Sequence, residues 1–393
     1  MKNLYKYNLT DAELKIKKEI SKLKSDAGSH SPSIQTLSQL ISNLDIKVDA
    51  CFLSNPFATE LFMKYFKRQI LDADRFQDLL EFYPSQNKVI AQYFSKTIGV
   101  DAKNIFVGNG AVEIIQAIIH RFTKKRMVII IPTFSSFYEF ALDKVDIKYF
   151  TLKKSENFRL NINEYINFVK ETKPDTIVII NPNNPTGSYL LQKDLTKILN
   201  ELSFVENIII DESFIHFAFE DDLYSEVTIA KMLEDNENLY IIKSMSKDFG
   251  IAGIRAGYAL MNQVKVESLL KNGYLWNSNG LAEYFFRLYG TPQFVDEYKL
   301  VRMRYIQETQ RFVSDLASVP NIKVYPSFAN FVLIELPDTI SSELVSFILL
   351  IRYGIYVRNC VDKKGLDGNY LRIASRDQKG NKLIKQALTN LFE

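Results

Sequence analysis

Residues 239–258 read Leu-Tyr-Ile-Ile-Lys-Ser-Met-Ser-Lys-Asp-Phe-Gly-Ile-Ala-Gly-Ile-Arg-Ala-Gly-Tyr. The apolar run Leu239 to Ile242 has the character of a buried strand. It delivers Ser244, Ser246 and Lys247 onto a loop that Gly250 and Gly253 keep tight. Arg255 follows in the same segment. Two hydroxyls and a guanidinium around one amine suit a phosphorylated aldehyde, because the amine can form a Schiff base while the other groups hold phosphate oxygens. Taken alone, Lys247 also reads as an ordinary solvated lysine after a strand, so the upstream sequence must decide.

Three earlier stretches have the same form, an apolar strand that runs into a special turn. Ile105-Phe-Val-Gly-Asn-Gly-Ala-Val-Glu113 predicts a strand, a glycine turn and a helix start. Gly108 and Gly110 allow close backbone approach there, and the unpaired N–H groups of Gly110, Ala111 and Val112 suit a phosphate. Thr176 to Ile180 runs into Asn181-Pro-Asn-Asn-Pro-Thr-Gly187, a rigid turn at the carboxyl edge of a sheet, where α/β proteins bind ligands. Asn207 to Ile210 ends in Asp211-Glu-Ser-Phe214. A carboxylate at the end of an apolar strand is costly to desolvate unless a cation meets it, and a protonated pyridine nitrogen is such a cation. A fourth strand, Arg126 to Ile131, ends in Pro132-Thr-Phe-Ser, where Phe134 can cover one face of a flat ring.

The order and content of these blocks resemble the class I/II aminotransferase superfamily, over roughly residues 50 to 390. The branch most similar joins the histidinol-phosphate aminotransferases and the threonine-phosphate decarboxylases. The resemblance implies pyridoxal 5′-phosphate (PLP) as cofactor, with Lys247 as its Schiff-base lysine and Asp211 beside its ring nitrogen. It further implies phosphate contacts from Gly110, Ala111, Ser244, Ser246 and Arg255, ring stacking by Phe134, and a hydrogen bond from Asn184 to the phenolic oxygen. Tyr83, in Phe82-Tyr83-Pro84, stands where the family lends a phenol to the cofactor phosphate of the neighbouring subunit, which implies a homodimer with shared active sites. Many members have Tyr where this chain has Phe214. The Asp-Glu-Ser-Phe form is similar instead to the decarboxylase branch.

The fold expected is α/β, PLP fold type I: a large domain with a mostly parallel sheet flanked by helices, plus a small α+β domain. Repeated strand–helix–strand units support the parallel sheet. The expected organisation is an N-terminal segment over 1–52 that packs with the small domain, a large PLP-binding domain over 53–290, and a small C-terminal domain over 291–393. Helices are predicted over 10–25, 33–42, 86–96 and 293–317, and a strand over 48–53 leading into a Ser54-Asn55-Pro56 turn. In the small domain Asn330, Arg358 and Arg372 resemble the family's substrate-side motifs. Two planar guanidinium forks suit a substrate with two anionic groups or one dianion. His30, on a Gly-Ser-His-Ser loop, is a further candidate contact to an anionic substrate. Lys363 and Lys364, on the loop between the two arginines, could assist them, but their first reading is a solvated loop.

Two reactions share these residues. The first choice is a PLP-dependent lyase, a decarboxylase of phosphoserine or phosphothreonine that gives a phosphorylated amino alcohol. The alternative is an aminotransferase of the histidinol-phosphate type that acts on a small phosphorylated amine or ketone. Composition narrows the setting. The chain has 393 residues, is 47% hydrophobic and carries a net charge of +3, with no basic block of the kind that binds nucleic acid. Cys51 and Cys360 are the only cysteines, so neither a disulfide framework nor a metal site is expected. The polar start, Met-Lys-Asn-Leu-Tyr-Lys, and the lack of a membrane-length apolar run point to a cytoplasmic protein without membrane association.

Overall fold

The computed structural model describes residues 7–26, 28, 30–41 and 44–393. The polar N-terminal start over 1–6, Ser29 of the first loop and the helix end expected at Ser42 lie outside the described residues. Twelve strands are found among those described. They are β1 (Val48–Ala50), β2 (Ile105–Gly108), β3 (Arg126–Ile131), β4 (Asp146–Thr151), β5 (Thr176–Ile180) and β6 (Asn207–Asp211), followed by β7 (Leu239–Ser244), β8 (Gly257–Leu260), β9 (Lys323–Val324), β10 (Phe331–Glu335), β11 (Ile355–Asn359) and β12 (Tyr370–Ala374). The chain divides into two compact units. One comprises Met1–Leu53, Pro185–Gly187 and Gln307–Glu393, and the other Ser54–Asn184 and Ser188–Ile306. The division falls within the long helix Pro292–Ala317.

The larger unit is built on a seven-stranded sheet of order β2-β8-β7-β6-β5-β3-β4. Strands β3 to β7 pair in parallel, and β8 runs antiparallel between β7 and β2. The mostly parallel sheet is thus as expected. β8 lies inside the sheet, and its Gly257 sits against the backbone of Gly110 and Ala111, where a Cβ would come to 3.0 Å from the Gly110 carbonyl carbon. Strands β5, β6 and β7 are buried along their whole length, which is why they read as unbroken Ile/Val runs with no alternation. On one face Tyr240 and Ile242 of β7 pack with Ile114, Ile115, Ile118 and Ile119 of the helix Ala111–Phe122.

The smaller unit has a five-stranded sheet, β1-β11-β12-β10-β9. Its first strand comes from near the start of the chain and pairs in parallel with β11 (Val48 opposite Ile355), while β10, β11 and β12 are antiparallel. Val332, Ile334, Ile355, Leu371 and Ile373 form its core with Ile348, Ile384 and Leu388 of the helices Ser342–Tyr353 and Gln378–Phe392.

Two local expectations differ. β1 stops at Ala50, because the Asp49 carboxylate accepts the N–H groups of Cys51 (3.0 Å) and Phe52 (2.9 Å) and bends the chain into an Asx-type turn. The supposed Ser54-Asn55-Pro56 turn is a helix start: the Asn55 side chain caps the N–H groups of Phe57 and Ala58, and Pro56 occupies the first position of the helix Pro56–Phe66. No helix among the described residues is long and apolar enough to cross a membrane, and no group of three or more metal-ligating side chains is found among them.

Candidate active site

In the larger unit, the residues singled out by the sequence gather at the carboxyl ends of the parallel strands. Asp211 closes β6, fully enclosed, and its Oδ1 accepts the Ser213 N–H at 2.8 Å. Burial pushes its carboxyl above the usual range, opposed by the Ser213 hydrogen bonds and by the positive charges of Lys243 and Lys247. That pairing of charges brings Lys247, half-buried three residues beyond β7, to the same place as Asp211. A cationic ring nitrogen is the partner such a carboxylate lacks in water-free surroundings.

The phosphate cradle is visible in what a side chain at Gly110 would strike. Gly110 has φ +84°, and an added Cβ would collide with the Arg255 guanidinium, so the arginine lies directly against the glycine turn. No side chain caps the helix that starts at Ala111, which leaves its first-turn N–H groups and its dipole for an anion. Arg255 is itself anchored through its Nη1, which donates to the Ala252 carbonyl at 3.0 Å. Ser244 and Ser246 are buried alongside, with the Ser246 N–H on Ser244 Oγ at 3.3 Å. Helix start, guanidinium and two hydroxyls fit a phosphate monoester, and Asp211 with Lys247 fits a pyridine aldehyde, so the residues present suit PLP.

Phe134 is partly buried at the end of β3 and packs against the same core cluster as Ala111. Asn184 is buried in the turn after β5. Its neighbour Asn183 ties this turn to the one after β3, donating to the Pro132 carbonyl at 2.9 Å and accepting from Thr133 Oγ1 at 3.1 Å. Phe214 is buried, so no phenol stands at that position. Tyr83 is 91% exposed and meets only Trp276, ring centroids 6.4 Å apart, among the ring contacts described.

In the smaller unit, Arg358 and Arg372 are directly opposite each other on β11 and β12, at 5% and 8% exposure. Like charges placed so destabilise a strand pair, which makes the arrangement informative. Arg358 is held by Asp362 at 2.6 Å. Arg372 donates to the Cys51 carbonyl at 2.7 Å and lies 5.5 Å over the Phe331 ring. Asn330 is buried and donates to the Leu53 carbonyl at 2.8 Å. His30 is exposed; the next two residues, Ser31 and Pro32, line a cavity with Tyr356 and Arg358.

Lys363 corrects the reading of a solvated loop. It is 8% exposed, and among the described residues its ammonium has no hydrogen-bond or ion-pair partner. Burial, followed by the repulsion of Arg358, pulls its pKa down to about 8. Burial also pushes the thiols of Cys51 and Cys360 up, so neither adds a negative charge at neutral pH. The loop's Asp-Lys-Lys-Gly composition looks solvent-facing, and only the fold over it reveals a third enclosed cation.

Fold and site together define a PLP-type α/β enzyme architecture. The profile of the family "Aminotransferase class I and II" matches residues 57–384, and the chain belongs to that family. It is 52% identical over 385 residues to an L-serine phosphate decarboxylase of Campylobacter jejuni, covering 98% of this chain and 99% of that one. It is 43% identical over 371 residues to an L-serine phosphate decarboxylase of Sulfurospirillum multivorans, covering 94% and 95%. A solved structure of a decarboxylase from Sulfurospirillum multivorans superposes with a TM-score of 0.93 at 42% identity, over 97% of each chain.

Proposed function

We propose that this chain is a PLP-dependent carboxy-lyase that removes the carboxylate of O-phosphoserine and releases carbon dioxide and the phosphorylated amino alcohol. The observation that carries the substrate class is the excess of enclosed positive charge in the smaller unit. Arg358, Arg372 and Lys363 are all buried; among the described residues Asp362 pairs with Arg358, and the Asp49 carboxylate acts on Arg372. A phosphate dianion suits three buried cations brought together, with charge-assisted bonds that are roughly twice as strong as neutral ones. The two full-length relatives named above support decarboxylation as the reaction.

Lys247, Asp211, Asn184, Phe134, Gly110, Ala111, Ser244, Ser246 and Arg255 would hold the cofactor, which when bound supplies an electron sink for the pair left on the substrate Cα. Asp211 keeps a proton on the ring nitrogen, because its buried charge is stabilised best by an adjacent cation. Arg358, Arg372 and Lys363, together with Asn330 and His30, bind the anionic groups of the substrate and orient it. Lys247 Nζ then delivers a proton to Cα in place of the lost carboxylate. The balance is one carbon dioxide out and one proton in, so no 2-oxo acid acceptor is consumed.

We further propose a cytoplasmic homodimer in which Tyr83 serves the partner's site. The support is a set of exposed apolar side chains in the larger unit, Phe76, Leu80, Phe82, Leu275 and Trp276, the last with its ring 6.4 Å from that of Tyr83. Incubation of the purified protein with phosphoserine, phosphothreonine or histidinol phosphate, each with and without 2-oxoglutarate, tests the whole reading by product mass. Carbon dioxide and a phosphorylated amino alcohol without 2-oxoglutarate are expected. A product formed only when 2-oxoglutarate is present means transamination and overturns it.

A further inference from the structure

We infer that Lys243 is a positioning residue: one buried ammonium ties the loop that carries Asp211 to the loop that carries Lys247 and sets the spacing of that pair. The inference rests on the functional reading above. Side chains alternate along β7, so while Tyr240 and Ile242 enter the apolar core on one face, Lys243 projects from the other. It is 2% exposed. Its Nζ donates to the Glu212 carbonyl at 3.1 Å, one residue past Asp211, and forms an ion pair with Asp248, one residue past Lys247. Asp248 is wholly enclosed and also meets His216 Nδ1 at 3.1 Å.

The surroundings brace both ends. His216 Nδ1 lies 3.2 Å from the Tyr298 hydroxyl. Arg302 donates to three carbonyls of the segment after Asp211, those of His216 (2.5 Å), Ala218 (3.0 Å) and Tyr224. Glu212 turns its own carboxylate away, onto Thr228 Oγ1 (2.6 Å) and the Ile229 N–H (2.9 Å). The Lys247 carbonyl accepts the Asn55 N–H at 3.0 Å. Lys243 reaches a backbone carbonyl of one loop and a carboxylate of the other, and the Asp248–His216 contact runs beside it.

Stability alone does not account for this pair, since well-packed apolar residues of similar volume generally replace a buried ion pair at no net loss. What apolar residues cannot do is hold two loops at hydrogen-bond distance. Asp211 and Lys247 must address opposite ends of one rigid ring, so a small drift between their loops weakens both contacts together.

The test is the double variant Lys243→Met/Asp248→Leu, which removes the bridge without leaving a lone buried charge, compared with Lys243→Arg. Each holoenzyme is titrated by its visible lysine–cofactor absorbance and assayed with phosphoserine. The expected result is a folded double variant whose band titrates with a midpoint displaced by about one pH unit or more. Its kcat should fall about tenfold or more with KM changed less than about threefold, while Lys243→Arg retains both properties. A folded double variant with the wild-type band and kcat overturns the inference. Should the double variant not fold, Lys243→Met, which removes the bridge and leaves Asp248 with His216, is read the same way, and an unshifted band overturns the inference there too. A wild-type chain with no visible band refutes the functional reading itself, a result distinct from a normal band in the variants.

Discussion

Replacing Lys363 by Met isolates the cation whose enclosure only the fold reveals. At pH 7 the lysine, with its pKa near 8, is about nine-tenths charged. One hydrogen bond from a charged donor to phosphate contributes about 1.5–3 kcal/mol. Lys363→Met should therefore raise KM for phosphoserine roughly 10- to 150-fold at pH 7 with a smaller change in kcat. The effect must shrink with pH. At pH 9 the wild-type lysine is only about one-tenth charged, so the wild-type KM should climb by about five- to tenfold between pH 7 and 9 from this group. The variant lacks that climb, and the substrate phosphate, with its second pKa near about 6, stays a dianion throughout. The ratio of the two KM values, taken from pH 6.5 to 9.5 by carbon dioxide release, cancels the titration of the substrate amine. A ratio that stays constant across pH, or a variant KM equal to wild type at pH 7, refutes the argument. Stability moves the other way. The folded lysine loses its proton near pH 8 and the unfolded one near about 10.4, so between these values the unfolded chain binds more protons. Ligand-free protein should gain stability from this group as pH rises through that window, and urea unfolding of wild type against Lys363→Met measures it.

Gly110→Ala places a methyl against the Arg255 guanidinium at φ +84°, so PLP affinity, read by equilibrium dialysis, should fall at least about tenfold while the apo fold is kept. Arg372→Lys loses the planar fork and the contact to the Cys51 carbonyl at 2.7 Å; kcat/KM for phosphoserine should drop by about 10- to 100-fold, with little change in the cofactor spectrum. Arg302→Met strips donors from three carbonyls, those of His216, Ala218 and Tyr224, and should lower unfolding stability by roughly 3 kcal/mol or more in urea. A loss under about 1 kcal/mol would mean that water replaces those donors.

Much of this architecture is local in origin and therefore readable in one dimension. Unbroken Ile/Val runs mark strands covered on both faces, and the turns that follow β2, β5, β6 and β7 carry the glycines, asparagines, carboxylate and lysine on which the family resemblance rests. Asn55-Pro56 is a helix start written in plain capping chemistry that also fits a turn, because Pro serves both. Other features depend on partners distant in the chain. Val48 pairs with Ile355, and Arg358 faces Arg372, because a short N-terminal strand and an antiparallel pair come together late in the sequence. Lys243 and Lys363 look alike in the sequence, as basic residues near the end of a strand or in a polar loop. The first is enclosed between two loops with a carbonyl and a carboxylate for company, and the second is enclosed with two guanidinium groups. A side chain's identity specifies which charge it can carry. What that charge costs, and what it is free to bind, depends on the groups that packing places around it.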